Sequence, residues 1–156
     1  MYAEALAGAD YQVEQLPGSA EIKGKFTKGK TVLELTAWVA ATRNWVIIEL
    51  TANEPLELSS RLWAAEGNTS VTSSGKVPVN WVTRSFEKEP LLRWSSHIAL
   101  AMGTPEMQLP ESGKIVLQPG KKQWIAVVAY TNHDTVQWKE KAVVEAEGLT
   151  VDRLEQ

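Results

Sequence analysis

Residues 31–52 read TVLELTAWVAATRNWVIIELTA, and this stretch decides the fold. It contains two runs rich in β-branched and aromatic residues, and in the first run apolar and polar side chains alternate. Successive side chains of a strand point to opposite faces of its sheet, so these runs predict strands at 31–40 and 44–52. The stretch therefore predicts neighbouring strands of an antiparallel sheet.

Short runs of the same composition recur along the chain, separated by Gly, Asn and Pro. Turns are predicted at 28–30, 53–55 and 119–120, where glycine, asparagine or proline interrupts the apolar pattern. Residues 66–77 predict a long loop, or a loop with a short irregular strand. The predicted fold class is mainly β, an antiparallel β-sandwich. Its further strands are predicted at 20–27, 56–64, 79–86, 93–102, 114–118 and 123–131.

After Thr131 the period of the apolar residues changes from that of a strand to that of a helix. Trp138, Ala142 and Ala146 follow one another at intervals of four, which predicts a helix from about 135 to 147 with one apolar stripe. Gly148 fits the end of this helix, and Thr150 fits the N-cap of a second one. The predicted division is a β-sandwich domain at 1–134 and a helical linker at 135–156 that leads towards a further domain.

Composition excludes several classes of function. The 156 residues fit one domain, and sixteen basic against nineteen acidic residues leave a net charge of −3, which argues against nucleic-acid binding. The chain contains no cysteine, which excludes disulfides and thiolate metal sites, and its apolar runs are too short to cross a membrane. No cofactor and no membrane partner are predicted. The compartment stays open, and a periplasmic or secreted parent protein is compatible with the sequence.

Three neighbouring predicted strands each place a tryptophan on the less apolar face of the sheet. These residues are Trp38, Trp45 and Trp63. One interpretation is that another domain, the C-terminal helix or a second sheet covers the indoles. The other is a carbohydrate-binding platform, because indole stacks on the C–H face of a sugar while polar neighbours bind its hydroxyls. Its polar members would be Glu34, Glu49 and Arg61.

No catalytic residue and no metal ligand are predicted. The two histidines are His97 and His133. Ser96 precedes His97 on a predicted strand, so their side chains point to opposite faces, and a local hydrogen bond explains His97 better than catalysis. Asn132 or Asp134, beside His133, fits a cap of the predicted helix.

Several phrases, taken in order, resemble a known domain. They are YQVEQL (11–16), AEIKGKF (20–26), LELTAWVAATRNWVIIELT (33–51), WVTRSF (81–86), RWSSHIALAM (93–102) and LQPGKKQWIAVVAYTNHD (117–134). In this order they resemble the later part of the N-terminal β-supersandwich, a galactose-mutarotase-like fold, of glycoside hydrolases with an (α/α)₆ barrel. The group includes the family 95 α-L-fucosidases. The resemblance covers residues 11–156.

The resemblance implies a non-catalytic domain that supports a helical catalytic barrel and shapes its carbohydrate cleft. In such enzymes the catalytic carboxylates belong to the barrel, so no catalytic residue carries over to this chain. It also implies that the chain is cut from a longer protein, since residues 1–10 lack a first strand and the last helix has just begun. The alternative is an autonomous carbohydrate-binding module. A homodimer is expected where an apolar face is left uncovered.

Overall fold

The computed structural model describes residues 1–63, 70–74, 79–86, 96–105 and 113–155, with 70–74 and 86 described by their backbone. A 3₁₀ turn at Glu4–Leu6 comes first, and two helices, α1 (Trp138–Glu147) and α2 (Val151–Leu154), end the chain. The strands between them are β1 (Asp10–Leu16), β2 (Glu21–Lys28), β3 (Thr31–Val39), β4 (Trp45–Ala52), β5 (Leu56–Ser59), β6 (Ser70–Ser74), β7 (Asn80–Phe86), β8 (Ser96–Gly103), β9 (Lys114–Leu117) and β10 (Gln123–Thr131).

The strands form two antiparallel sheets, which confirms the mainly-β fold and is consistent with a β-sandwich. Within the described residues, the large sheet has eight strands in the order β1-β2-β3-β4-β10-β8-β7-β6. The small sheet pairs β5 with β9. Strands β4 and β10 lie side by side at the centre although about seventy residues separate them along the chain, so long-range pairing holds the fold together.

Each of the eight predicted strands has a counterpart in the structure, although several of their bounds differ. Predicted strand 123–131 is found as β10, but predicted strand 56–64 ends at Ser59. Strand β1 was not predicted: its sequence, DYQVEQL, alternates apolar and polar residues only at Tyr11 to Glu14, and a pattern this short is a weak strand signal. The five-residue β6 lies within the predicted loop 66–77. Residues 93–95 of one predicted strand lie outside the described residues.

The large sheet is packed against other elements on both faces, but on one of them only in part. One face, called the helix face, packs against α1 and α2. The residues buried between this face and the helices are Trp45, Ile47, Val79, Ala99, Ala101, Trp124, Ala126, Val128, Ala142, Ala146, Leu149 and Leu154. The opposite face packs in part against the small sheet, and its buried members are Leu33, Leu50, Ala52, Leu56, Leu58, Met102, Ile115, Leu117 and Ile125.

The helical segment belongs to the same core as the sheet. The apolar stripe predicted for α1 is buried at Ala142 and Ala146, and α2 buries Leu154 in the same cluster. An apolar stripe on a helix needs a cover, and the sheet of this chain provides it. The division into a domain and a linker at residue 134 stays a prediction. Residues before and after this position are buried in the same hydrophobic cluster.

The helix ends are only partly as predicted. Gly148 is the C-cap of α1, as the sequence indicates. The N-cap position falls on Gln137, so the prediction that Asn132 or Asp134 caps the helix is wrong. Asp134 instead accepts hydrogen bonds from the backbone N–H and the hydroxyl of Thr131, each at 2.8 Å, and these lower its pKa. They fold the chain into a tight turn between β10 and α1.

Close approach of α1 to β8 depends on a glycine, and this gives a first prediction. A Cβ atom built on Gly103 would lie 2.5 Å from the backbone oxygen of Ala146, which is too short for a non-bonded contact. We expect Gly103→Ala to lower the free energy of unfolding by about 1–3 kcal/mol, because the helix must shift from the sheet. Urea denaturation followed by circular dichroism measures this change.

The matched control is Gly18→Ala. A Cβ atom at Gly18 meets nothing within 4 Å, so this variant should change the unfolding free energy by no more than about 0.5 kcal/mol. Equal stability of the two variants would contradict the packing of α1 on β8.

Candidate functional site

Trp45 is buried beneath the C-terminal helix. Its side chain is 1% exposed, and its indole N–H donates a 3.0 Å hydrogen bond to the carboxylate of Glu145 on α1. The guanidinium groups of Arg43 and Arg153 lie 4.7 and 5.0 Å from the ring centroid. The indole is thus enclosed by this chain itself, which is one of the covers that the sequence left open.

Trp38 and Trp63, the other two tryptophans of the predicted platform, have surroundings that differ from those of Trp45. Trp38 is half-buried and meets Trp124 edge to face, with ring centroids 5.8 Å apart. Trp63 is 69% exposed and lies beyond the end of β5, where the alternation of strand faces does not reach. The structure therefore does not bring the three indoles together on one open surface.

The polar residues predicted for the platform take part in ordinary surface interactions. Glu34 forms an ion pair with Lys25 at 3.2 Å, and Glu49 forms one with Lys122 at 3.0 Å. Both glutamates do share the helix face with Trp38, as the alternation predicts. Arg61 is exposed and lies outside the strands.

His97 has a serine partner that the sequence did not identify. Its Nδ1 atom lies 2.9 Å from the hydroxyl of Ser85, which is its direct partner across the β7–β8 pair. Ser96 directly precedes His97 on the strand, so its side chain lies on the other face of the sheet. The ring of Trp138 stacks on the imidazole at a centroid distance of 5.7 Å. The pair ties β7 to β8 under the start of α1, as the predicted local hydrogen bond implies.

A half-buried glutamate joins the helix to the sheet. Glu145 accepts hydrogen bonds from Trp45 Nε1 and from Tyr130 Oη at 2.9 Å, and it pairs with Lys141 at 3.3 Å. Burial opposes the charged form, but these donors outweigh it and hold the pKa of Glu145 below its ordinary value. Burial and the same hydrogen bond raise the pKa of Tyr130. The charged carboxylate of Glu145 thus helps to hold α1 against the sheet.

Part of the face of the large sheet opposite the helices is left open on β1 to β4. Five apolar side chains on this face are between 42% and 72% exposed, and they are called the open face: Tyr11, Val13, Ile22, Val39 and Val46. The pairing registers place all five on the same side of the sheet. Side chains that alternate with them, on the other side of β1 to β3, are mainly polar or charged. The apolar character thus belongs to one face and not to the strands as a whole.

The open face borders a recess. Val39 lies directly opposite Val46, and Val46 lies opposite Val127 on the other side of β4. Beside the open face, the N-terminal segment and the two sheets enclose an apolar recess of about 340 Å³. Tyr2 holds that segment in place through two backbone hydrogen bonds with Ser59, of 2.8 and 2.7 Å. The recess is lined by Met1, Tyr2, Ala3, Leu6, Ala7, Phe26, Leu33, Leu35, Leu50 and Leu58.

Comparisons with known proteins name no family for this chain. No protein-family model matches it, and no curated protein matches it. Among the described residues, no group of three or more His, Cys, Asp or Glu side chains could hold a metal ion. In that same part of the chain, no helix has the length and apolarity needed to span a membrane.

Proposed function

We propose that this chain is a non-catalytic β-sandwich domain whose open face packs against a second protein surface. In the setting that the sequence resemblance implies, that surface is the helical catalytic barrel of a glycoside hydrolase. The domain supports the barrel and shapes its carbohydrate cleft, while the barrel carries the catalytic carboxylates.

The open face is the observation that carries this proposal. Monomeric proteins seldom leave a contiguous set of large apolar side chains in water, and such patches usually mark protein interfaces. Here Tyr11 and Val39 are 72% and 62% exposed on a sheet face whose central part is buried. The neighbouring recess suits an apolar anchor side chain from a partner, which is the arrangement that dominates binding energy at many interfaces.

The buried indoles favour this proposal over a carbohydrate-binding module. A stacking platform needs exposed rings, and Trp45 is 1% exposed while Trp38 packs against Trp124. Of the predicted platform, Trp63 alone is largely exposed. The alternative function therefore rests on one indole, with Arg61 as its nearest predicted neighbour in the sequence.

The proposal predicts binding to an isolated barrel. The probe is the purified (α/α)₆ catalytic barrel of a family 95 α-L-fucosidase, titrated with this chain in a calorimeter. We expect a complex whose affinity falls at least about tenfold in the double variant Val39→Glu, Val46→Glu, because two charges would be buried without partners. The barrel should also melt at a higher temperature with the chain present.

The matched control is Thr36→Glu, which adds a charge on the helix face of β3 and should leave the complex unchanged. Binding that is equally weakened by Thr36→Glu would contradict the open face as the contact. Titration of the chain with α-L-fucosides, followed by tryptophan fluorescence, tests the alternative function. Saturable binding lost in Trp63→Ala would support a carbohydrate-binding module instead.

A further inference from the structure

Strand β1 is the outer strand of the large sheet, and it has few of the features that usually protect an outer strand. It pairs with β2 through all seven of its residues without a bulge, and among the described residues no strand lies on its other side. Proteins normally protect such an edge with charged side chains (above all lysine), with proline, with a bulge or with a covering segment, because its free N–H and C=O groups can pair with another chain. The sequence DYQVEQL contains neither lysine nor proline, and its residues from Asp10 to Gln15 are exposed. Its two charged side chains, Asp10 and Glu14, lie on the helix face, so whether they oppose pairing depends on what lies opposite them.

From the edge we infer that β1 pairs antiparallel with β1 of a second copy of this chain, forming a two-fold symmetric dimer with one continuous sheet. The inference does not rest on the glycoside hydrolase proposal, which concerns the open face. A two-fold axis perpendicular to the sheet keeps the open faces of both copies on the same side. The contact therefore extends the apolar surface across both subunits.

One register satisfies the whole strand. With the axis at Val13, the numbers of two facing residues add up to 26. All seven residues of the strand are then paired. Val13 then meets its own copy, and Tyr11 meets Gln15. On the helix face, Gln12 meets Glu14 and Asp10 meets Leu16, so no like charges lie directly opposite one another.

The neighbouring registers that keep the faces aligned are worse. Moving the axis to Gln12 places Asp10 opposite Glu14, and moving it to Glu14 places that glutamate opposite its own copy. Like charges directly opposite one another destabilise a strand pair, and both shifts also leave residues of the strand unpaired. The charge pattern of β1 is thus complementary to itself in one alignment, which is why the inferred partner is a second copy and not an unrelated strand.

Position 12 gives a test that separates dimer formation from folding. In the dimer Gln12 faces Glu14 of the second copy, whereas within one chain it faces Lys25 on β2. Gln12→Glu would place two pairs of like charges in the dimer but add an attraction to Lys25 within each chain. Gln12→Lys would do the reverse. The two variants therefore change self-association in one direction and the stability of the single chain in the other.

The experiment is sedimentation velocity of the full chain at low salt, up to roughly 1 mM protein. We expect a monomer–dimer equilibrium whose dissociation constant rises about 2- to 30-fold in Gln12→Glu and falls by a similar factor in Gln12→Lys. Thr36→Glu and Thr36→Lys are the matched controls, because they add the same charges to the same face two strands away, and both should leave the constant unchanged.

Three outcomes would overturn the inference. The first is a strict monomer over the whole concentration range. The second is a dimer whose dissociation constant responds alike to Gln12→Glu and Gln12→Lys. The third is a dimer that ignores position 12 but is lost in Val39→Glu, Val46→Glu, which would place the contact on the open face. Barrel binding can succeed or fail independently of these results, since it depends on the open face and not on the β1 edge.

Discussion

Trp45→Ala is expected to lower the free energy of unfolding by about 3–5 kcal/mol, the largest effect of any single change considered for this chain. The side chain is 1% exposed at the centre of the core between the helices and the large sheet. Its removal leaves a cavity and also removes the donor of the 3.0 Å hydrogen bond to Glu145. Urea denaturation followed by far-ultraviolet circular dichroism measures the loss, and α1 should be the first element to lose protection in hydrogen exchange.

Trp63→Ala is the matched control for this prediction. The same indole is removed from a site that is 69% exposed, so the expected change is within about 0.5 kcal/mol. If both variants lost equal stability, Trp45 would not be covered by α1 in solution. An exposed Trp45 would then restore the carbohydrate platform as a serious interpretation, so the pair of measurements also bears on function.

The strands could be predicted from sequence because their pattern is local. Alternation in β3 and β4 assigns Trp38 and Trp45 to the same face, and the pairing of Trp38 with Ile47 confirms that assignment. The alternation does not show which element covers that face. Whether an indole is open or buried depends on α1, which is about 100 residues away from Trp45 along the chain.

The features missed by the sequence all depend on the order of the strands. Ser85 and His97 are cross-strand partners, which no spacing rule indicates until the β7–β8 register is known. Strand β1 has few buried side chains because it lies at the edge. The open face was missed for the same reason, since it combines residues of four strands whose order and cover the sequence does not give.

The exposed apolar surface lies on the sheet face opposite the helices, so a partner would contact that face. For the tryptophan face the sequence left open a further domain, the C-terminal helix or a second sheet as the cover, and the helix is the one found over Trp45. The surface left in water is the opposite one, formed by Tyr11, Val13, Ile22, Val39 and Val46. A supporting role beside a barrel must therefore act through that face, and the edge at β1 remains available to a second copy at the same time.

Glu145→Gln is expected to lower the free energy of unfolding by about 1–3 kcal/mol at neutral pH, because it weakens two hydrogen bonds from half-buried or buried donors. Trp45 and Tyr130 donate to this carboxylate at 3.0 and 2.9 Å, and Lys141 adds an ion pair. The glutamine retains the shape of the side chain but accepts through one oxygen and carries no charge. Thermal or urea unfolding of both proteins at pH 7 measures the difference.

The same variant should remove part of the pH dependence of stability. The pKa of Glu145 is lowered in the folded chain from an ordinary value of 4.5, so its contribution is present above that value and is lost as the pH falls through the folded pKa. The stability difference between the parent chain and Glu145→Gln should therefore shrink as the pH falls below about 4.5. Glu147→Gln, on the same helix but exposed, is the matched control and should change the free energy of unfolding at pH 7 by no more than about 0.5 kcal/mol. A difference for Glu145→Gln that does not change with pH would show that the ionised carboxylate is not what joins α1 to the sheet.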